Sequence, residues 1–364
     1  MRNIAIDMRM INYSGIGTYL RGLVPLIIDN MKEVHFHLIG NPKELGAYLS
    51  DTNRISIIDC TVPIYSFNEQ VELVKKIPRD TDLLWVPHYN IPIFYRGKML
   101  VTVHDVLHLA YPQFARGVHK RMYVNLLFKA ISIKANKVIT VSRFSRNEII
   151  KYTVVKQEKI HAIYNGVDNP WREIKGEKRG ALSSSPYLLY VGNVKPHKNL
   201  RSLVKAFELI KDKIPHRLII IGKKEGFVTG DTGLEAEAER LGDRIQFTGF
   251  VDNNALLQYY RNADMMVFPS LYEGFGLPPL EAMASGCPVL VSERASLPEV
   301  CGDAALYFNP ESSQDISDKI LLVATDPDLK KRLMIKGKQQ VESFTWGKCA
   351  VATIDIINRI LETK

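Results

Sequence analysis

Cysteine is scarce in this chain. Its four thiols, Cys60, Cys287, Cys301 and Cys349, are scattered, with no Cys-x-x-Cys pair and no histidine at zinc-ligand spacing, which excludes a disulfide framework and a structural zinc module. Long apolar runs are missing too, since nothing approaches the ~18–20 residues of a membrane span. The start, Met1-Arg2-Asn3, leads straight into an apolar segment without a signal-peptide pattern, so the expected location is the cytoplasm. A composition of 46% hydrophobic and 24% charged residues argues against disorder. Acidic residues are sparse in one half only: residues 1–175 hold 24 Lys/Arg against 15 Asp/Glu, and the remainder holds 24 of each. Within 116–156 there are ten basic residues and one acid, Glu148. Such a field attracts anionic lipid or nucleic acid. No helix-turn-helix, zinc or RNA-binding signature accompanies it, so no nucleic-acid partner is expected.

What is present is a repeating alternation. At 364 residues the chain exceeds what one core usually fills, which points to two domains. Short apolar runs at 2–7, 35–40, 55–58, 83–87, 99–104 and 137–141 alternate with helix-length segments, the pattern of a parallel sheet covered on both faces. The stretch 165–186 is rich in turn residues and reads as the linker. A second series of strands follows at 187–191, 217–221, 245–248, 265–269, 288–291 and 305–308. An amphipathic helix is expected over about 347–363.

The segment from Pro269 to Gly286 is the most informative. A strand ends at Phe268 and runs into a loop in which Gly274 and Gly276 let the backbone approach a ligand. A helix then starts near Pro278 or Pro279, and its N-terminus suits a diphosphate. Glu273 and Glu281 would stand ~12 Å apart on a continuous helix, beyond the ~5–9.5 Å of glycosidase pairs. Opposite ends of one ligand fit that separation better. Elsewhere, Gly15-Ile16-Gly17 opens a helix near Thr18 but is only a fragment of a dinucleotide fingerprint. His104 and Ser142 each follow an apolar strand, at the edge where α/β sheets hold ligands. Asp80-Thr81-Asp82 fits a metal pattern but precedes its strand, at the opposite end, so no metal site is assigned.

Glu273 to Glu281 enclosing Gly-Phe-Gly resembles the Glu-x7-Glu signature of the retaining glycosyltransferases of family 4. In family order stand Gly15-Ile16-Gly17-Thr18-Tyr19-Leu20, Thr102-Val103-His104-Asp105, Thr140-Val141-Ser142-Arg143, Tyr164-Asn165-Gly166-Val167-Asp168, Gly192-Asn193-Val194-Lys195-Pro196-His197-Lys198-Asn199 and Thr248-Gly249-Phe250-Val251. The resemblance covers nearly the whole chain and implies a GT-B fold: two Rossmann-like, doubly wound α/β domains facing a central cleft. Those domains would be an acceptor-side domain over 1–168 and a nucleotide-sugar domain over 169–345, with a helix over 346–364 returning to the first.

By the same resemblance, His104, Lys198 and Glu273 are the catalytic candidates. Lys198 would neutralise the diphosphate, Glu273 and the backbone of Gly274, Phe275, Gly276 and Leu277 would hold the sugar and diphosphate, and Glu281 the ribose. Gly15, Gly17, Ser142, Asn193, Gly222 and Val251 complete the donor candidates. Asn193 departs from the arginine many members carry, and Asp105 is expected to orient His104.

The implied reaction moves a hexosyl group from a nucleoside diphosphate sugar to a glycan or polyprenyl-linked acceptor with retention and without a metal or other cofactor. The setting implied is bacterial surface polysaccharide, such as O-antigen. GDP-mannose is the first donor choice, with UDP-glucose, UDP-N-acetylglucosamine and dTDP-rhamnose as alternatives. Rivals are a nucleotide-sugar epimerase, a non-catalytic sugar-nucleotide sensor and a nucleic-acid-binding protein. The basic run 116–156 reads either as a solvated face or as a helix lying on anionic lipid at the inner face of the cell membrane.

Overall fold

The computed structural model describes residues 1–46, 53–66, 68–114, 118–167, 185–222 and 232–363. Much of the expected linker, 168–184, and part of the basic run, 115–117, lie outside the described residues. The chain divides into two compact units: unit 1 is Met1–Gly166 with Thr345–Lys364, and unit 2 is Val167–Phe344.

Unit 1 contains β1 (Arg2–Asp7), β2 (Val34–Gly40), β3 (Ile55–Asp59), β4 (Leu83–Val86), β5 (Met99–Val103), β6 (Lys137–Thr140) and β7 (Ile160–Ala162). They form one sheet in the order β3-β2-β1-β4-β5-β6-β7, every pair parallel, as in Ile4↔Leu83 and Val103↔Thr140. The central strands are apolar throughout because both faces are covered: all of β4 and β5 is buried, whereas the edge strand β3 is mostly half-buried. One face packs Ile4, Ile6, Phe36 and Trp85 against Leu20 and Leu23 of the helix Ile16–Asn30 and Ile357 of the helix Trp346–Glu362. The other packs Ala5, Leu84 and Val101 against Leu127 and Ile131 of the helix Val118–Lys134. Trp346 locks the returning helix in place. A Cβ on Gly22 would come within 2.3 Å of its ring, so only glycine permits the approach.

Unit 2 contains β8 (Tyr187–Val191), β9 (Arg217–Ile221), β10 (Ile245–Gly249), β11 (Met265–Phe268), β12 (Val289–Ser292) and β13 (Leu306–Phe308). Its parallel order is β10-β9-β8-β11-β12-β13. Both sheets are doubly wound, so the α/β class read from the alternation holds. Each expected strand is found with its ends displaced by no more than one residue. One strand, β7, had no counterpart in the sequence reading.

Asp80 and Asp82, the discounted metal pattern, tie the start of β1 to the start of β4. Asn3 Nδ2 donates to Asp80 Oδ2 at 2.9 Å and Asn3 N–H to Asp82 Oδ2 at 2.8 Å.

Candidate active site

In unit 2 the strand order reverses between β8 and β11. Loops leaving two such neighbouring strands turn in opposite directions and open a crevice, the usual ligand position in open α/β sheets. Residues 192–199 leave β8 and residues 269–276 leave β11. The two segments singled out on chemical grounds therefore meet at this one point.

They meet through charge. Lys198, at the end of a single 3-10 turn (Pro196–Lys198), places Nζ 2.6 Å from Glu273 Oε1, the two side chains being 17% and 11% exposed. The ammonium also stands 5.5 Å from the ring centroid of buried Phe268, which stacks on Tyr190 at 6.2 Å. Backbone and amide bonds stitch the loops together. Leu271 N–H donates to His197 O at 2.8 Å. Asn199, held at φ 54 and ψ 33, donates through Nδ2 to the carbonyls of Pro269 (3.1 Å) and Pro310 (2.8 Å). Beneath the loop, fully buried Ser296 directs its hydroxyl at the carbonyls of Glu273 (3.0 Å) and Phe275 (2.9 Å), one proton shared between two acceptors. Ser292 Oγ donates to Ser270 O at 2.6 Å. Glu273 is thus a fixed residue of the loop.

The helix after the loop runs Leu277–Ala284, with Gly276 preceding it at φ 98. A Cβ there would be strained and would also lie 2.8 Å from Leu297 Cδ2. Pro278 and Pro279 have no N–H, so the first turn offers an anion only the amides of Leu277 and Leu280; the remaining donors must come from Gly274 to Gly276. Phe275 is buried, its ring edge-on to Phe344 at 5.8 Å. Glu281 lies on the helix, where fully buried Tyr260 donates to its Oε2 at 3.0 Å. Burial first, then the neighbouring Glu281, pushes that phenol well above its ordinary pKa, so it stays a proton donor. At the ends of β8 to β10, Gly222 N–H donates to Gly249 O at 3.1 Å, and a Cβ on Gly222 would fall 2.1 Å from Gly192 O. This glycine floor adjoins Asn193, whose carbonyl accepts from Tyr190 OH at 3.5 Å. Val251 is half-buried just beyond β10.

In unit 1 the candidates have other engagements. Gly15 precedes the helix Ile16–Asn30 and is exposed, but Gly17 N–H is spent on Tyr13 O (2.6 Å) and Ser14 O (3.0 Å). Gly17 serves close packing, since a Cβ would meet Ile11 O at 2.3 Å. His104 follows β5, lies 3.0 Å from Pro87 O through Nε2 and sits edge-on to Tyr19 at 5.0 Å. The carbonyl can only accept, so Nε2 carries the proton. Burial drives the imidazole pKa down to about 4, with Pro87 and Asp105 opposing, and the ring is neutral at physiological pH. Pro87 and Tyr19 orient it, while Asp105 Oδ1 accepts from Leu107 N–H at 3.0 Å. Ser142 is fully buried and caps the helix Arg143–Tyr152, accepting from Ser145 N–H at 2.9 Å. Arg143 lines a groove of about 550 Å³ with Arg146 and His161.

The sequence reading missed a charged cluster in unit 1, where the strand order reverses between β1 and β4. Asp7 ends β1, and Arg9 holds it with Nε–Oδ1 at 2.8 Å and Nη2–Oδ2 at 2.6 Å. The same Nη2 lies 2.7 Å from Glu69 Oε1. His88 Nε2 donates to Asp7 Oδ2 at 3.1 Å, and Asn90 Nδ2 to Glu69 Oε2 at 2.5 Å. All are buried. Burial alone would raise the Asp7 pKa, but the adjacent Arg9 guanidinium and then His88 outweigh it and hold the carboxyl well below its usual range. Charged residues so close to the end of a first strand were the available signal.

A model of "Glycosyl transferases group 1" matches residues 172–340 and one of "Glycosyltransferase Family 4" residues 44–169. The O-antigen chain mannosyltransferase B of Escherichia coli is 32% identical over 282 residues, covering 73% of each chain. The O-antigen chain mannosyltransferase RfbU of Salmonella typhimurium is 33% identical over 250 residues, 69% of this chain and 67% of that one. Among solved structures, Anabaena Alr3699/HepE in complex with UDP-glucose matches 99% of this chain and 100% of its own, with a TM-score of 0.79 at 16% identity, a likeness of fold. The chain belongs to glycosyltransferase family 4 and has the GT-B fold.

Proposed function

We infer that this enzyme transfers mannose from GDP-mannose to a hydroxyl of a glycan or polyprenyl-linked acceptor in surface polysaccharide assembly, retaining the anomeric configuration. The observation that carries the reading is the Lys198–Glu273 pair at the sheet's switch point. An ammonium has three N–H donors, so Lys198 keeps Glu273 in place while neutralising the diphosphate as charge gathers on the departing oxygen. Glu273, fixed by Ser296 and Lys198, accepts hydrogen bonds from sugar hydroxyls, and Glu281 from the ribose. Support for mannose comes from the relatives named as O-antigen mannosyltransferases. With Lys198 supplying the positive charge, no metal is required. Assayed against GDP-mannose, UDP-glucose, UDP-N-acetylglucosamine and dTDP-rhamnose, the protein is expected to consume the first at least tenfold faster, with EDTA leaving the rate unchanged. A dependence on added divalent cation, or a preference for another donor, refutes that part of the reading.

We further propose contact with an anionic membrane surface. No helix of the described residues is long and apolar enough to cross a bilayer. The helix Val118–Lys134 nevertheless exposes Met122, Leu126 and Ile133 (64%, 54% and 72%) beside the exposed cations Arg121 and Lys129. Apolar wedges flanked by cations suit lipid headgroups, at about 1 kcal/mol per cation near the surface. Sedimentation with phosphatidylglycerol vesicles should be salt-sensitive and at least tenfold weaker for Leu126→Asp/Lys129→Glu. Equal binding of the native and altered proteins sinks this proposal.

A further inference from the structure

The buried Asp7–Arg9–Glu69 cluster holds more than its own charges. Glu69 Oε2, besides accepting from Asn90, accepts from the backbone N–H of Tyr65 at 2.7 Å. Tyr65 has φ 67, in the left-handed region that bulky residues rarely enter. The residue is 49% exposed, and its ring lies 6.1 Å from the ring of Tyr89, which stacks on buried Phe128 at 5.7 Å. The three rings run from solvent into the core. Tyr13, 50% exposed, and Asp105 stand close enough to act electrostatically on the Tyr65 phenol. The residues leave the carboxyl ends of β1 (Tyr13), β3 (Tyr65), β4 (Tyr89) and β5 (Asp105), around the switch point of this sheet, where parallel sheets hold ligands.

We propose that this aromatic shelf binds an uncharged sugar ring of the acceptor, with Tyr65 as the residue that sets its affinity. The inference rests on the glycosyltransferase reading above and names the part of the substrate that unit 1 recognises. An aromatic face packs against the C–H face of a sugar, and phenol and carboxylate oxygens accept from its hydroxyls. A phosphate is disfavoured, because among the described residues the charges that act on the Tyr65 phenol are the carboxylates Glu69 and Asp105, and Arg9 is already bonded to two carboxylates. Arg9 is a positioning residue: it fixes Glu69, and Glu69 fixes the Tyr65 backbone.

Binding is measured without donor, by calorimetry and saturation-transfer NMR, using methyl α-mannoside and α-linked mannobiose as probes. Tyr65→Gly adopts the same backbone without strain and loses only the ring, and is expected to weaken binding at least tenfold. Tyr65→Phe is expected to stay within threefold of the native protein. In transfer assays the same glycine variant should raise the KM for acceptor while the KM for donor changes by less than twofold. Loss of glycan binding in Tyr65→Gly supports the shelf whether or not GDP-mannose is turned over, which separates its failure from failure of the donor assignment. Equal affinity in native and Tyr65→Gly proteins, no saturable binding of either glycan by the native protein, or inorganic pyrophosphate competing for the same residue would each overturn it.

Discussion

Lys198→Ala should lower kcat/KM by about 10²–10³-fold, the scale seen when one preorganised stabiliser of developing charge is removed. The reason is geometric. Lys198 stands at the switch point, 2.6 Å from Glu273 and against the Phe268 ring. Glu273→Ala should fall in the same range, and the double variant should lose little more than the worse single one, because residues acting as one unit are strongly non-additive. Steady-state kinetics on the three proteins decides the point, with thermal unfolding recorded alongside to separate lost chemistry from lost fold. A Lys198→Ala enzyme within tenfold of native kcat/KM would show that the diphosphate is neutralised elsewhere.

Arg9→Met is expected to destabilise unit 1 by about 3–5 kcal/mol, the cost of leaving a buried charge without its partner. Asp7 and Glu69 are fully buried and share this one guanidinium, so its removal strands two carboxylates. At ~2–4 °C per kcal/mol for a domain of this size, the melting point should drop by roughly 10 °C. Trp85 and Trp346 both belong to unit 1, and their fluorescence follows its unfolding. The pH dependence has a definite sign. In the native protein the Asp7 pKa is depressed, because burial is outweighed by Arg9 and His88. Its contribution is therefore present above the unfolded value, ~3.9, and is lost as pH falls through the folded value. In the variant the burial of Asp7 is no longer outweighed by the guanidinium, so Asp7 takes up a proton more readily than it does beside Arg9. The gap between the two proteins should thus be widest near pH 7 and narrow toward pH 4. A melting point lowered by less than 2 °C at neutral pH would mean that water has replaced the arginine.

The parts of this molecule written in the sequence are those where one physical demand dominates. Leu83–Val86, Tyr187–Val191 and Met265–Phe268 are strands buried on both faces, so their apolar runs are hard to misread. Ile160–Ala162 was not legible: it has three residues, pairs only with β6 and includes a half-buried histidine. At the site, Lys198 and Glu273 stand out because cation, carboxylate and glycines share short segments. Ser292 and Ser296 do not, being buried serines far along the chain whose role comes from the loop folded over them. Ser142 illustrates the opposite difficulty. A serine after an apolar strand reads as a residue of the ligand edge, and nothing in that pattern announces the helix cap that its hydrogen bond to Ser145 N–H also makes.

The helix Trp346–Glu362 has a consequence for how the protein is made. Cys349, Ile356, Ile357 and Ile360 share a core with Ile4, Leu20 and Phe36, although unit 2 lies between them in the chain. The ribosome releases the first sheet early, yet that sheet's apolar face stays open until residue 362 has been polymerised, a delay of roughly 10–40 s at ~5–20 residues per second. Unit 2 is complete at Phe344 and can close first. The nascent amino-terminal half is thus the species most exposed to aggregation, and the one for which chaperones have a waiting substrate.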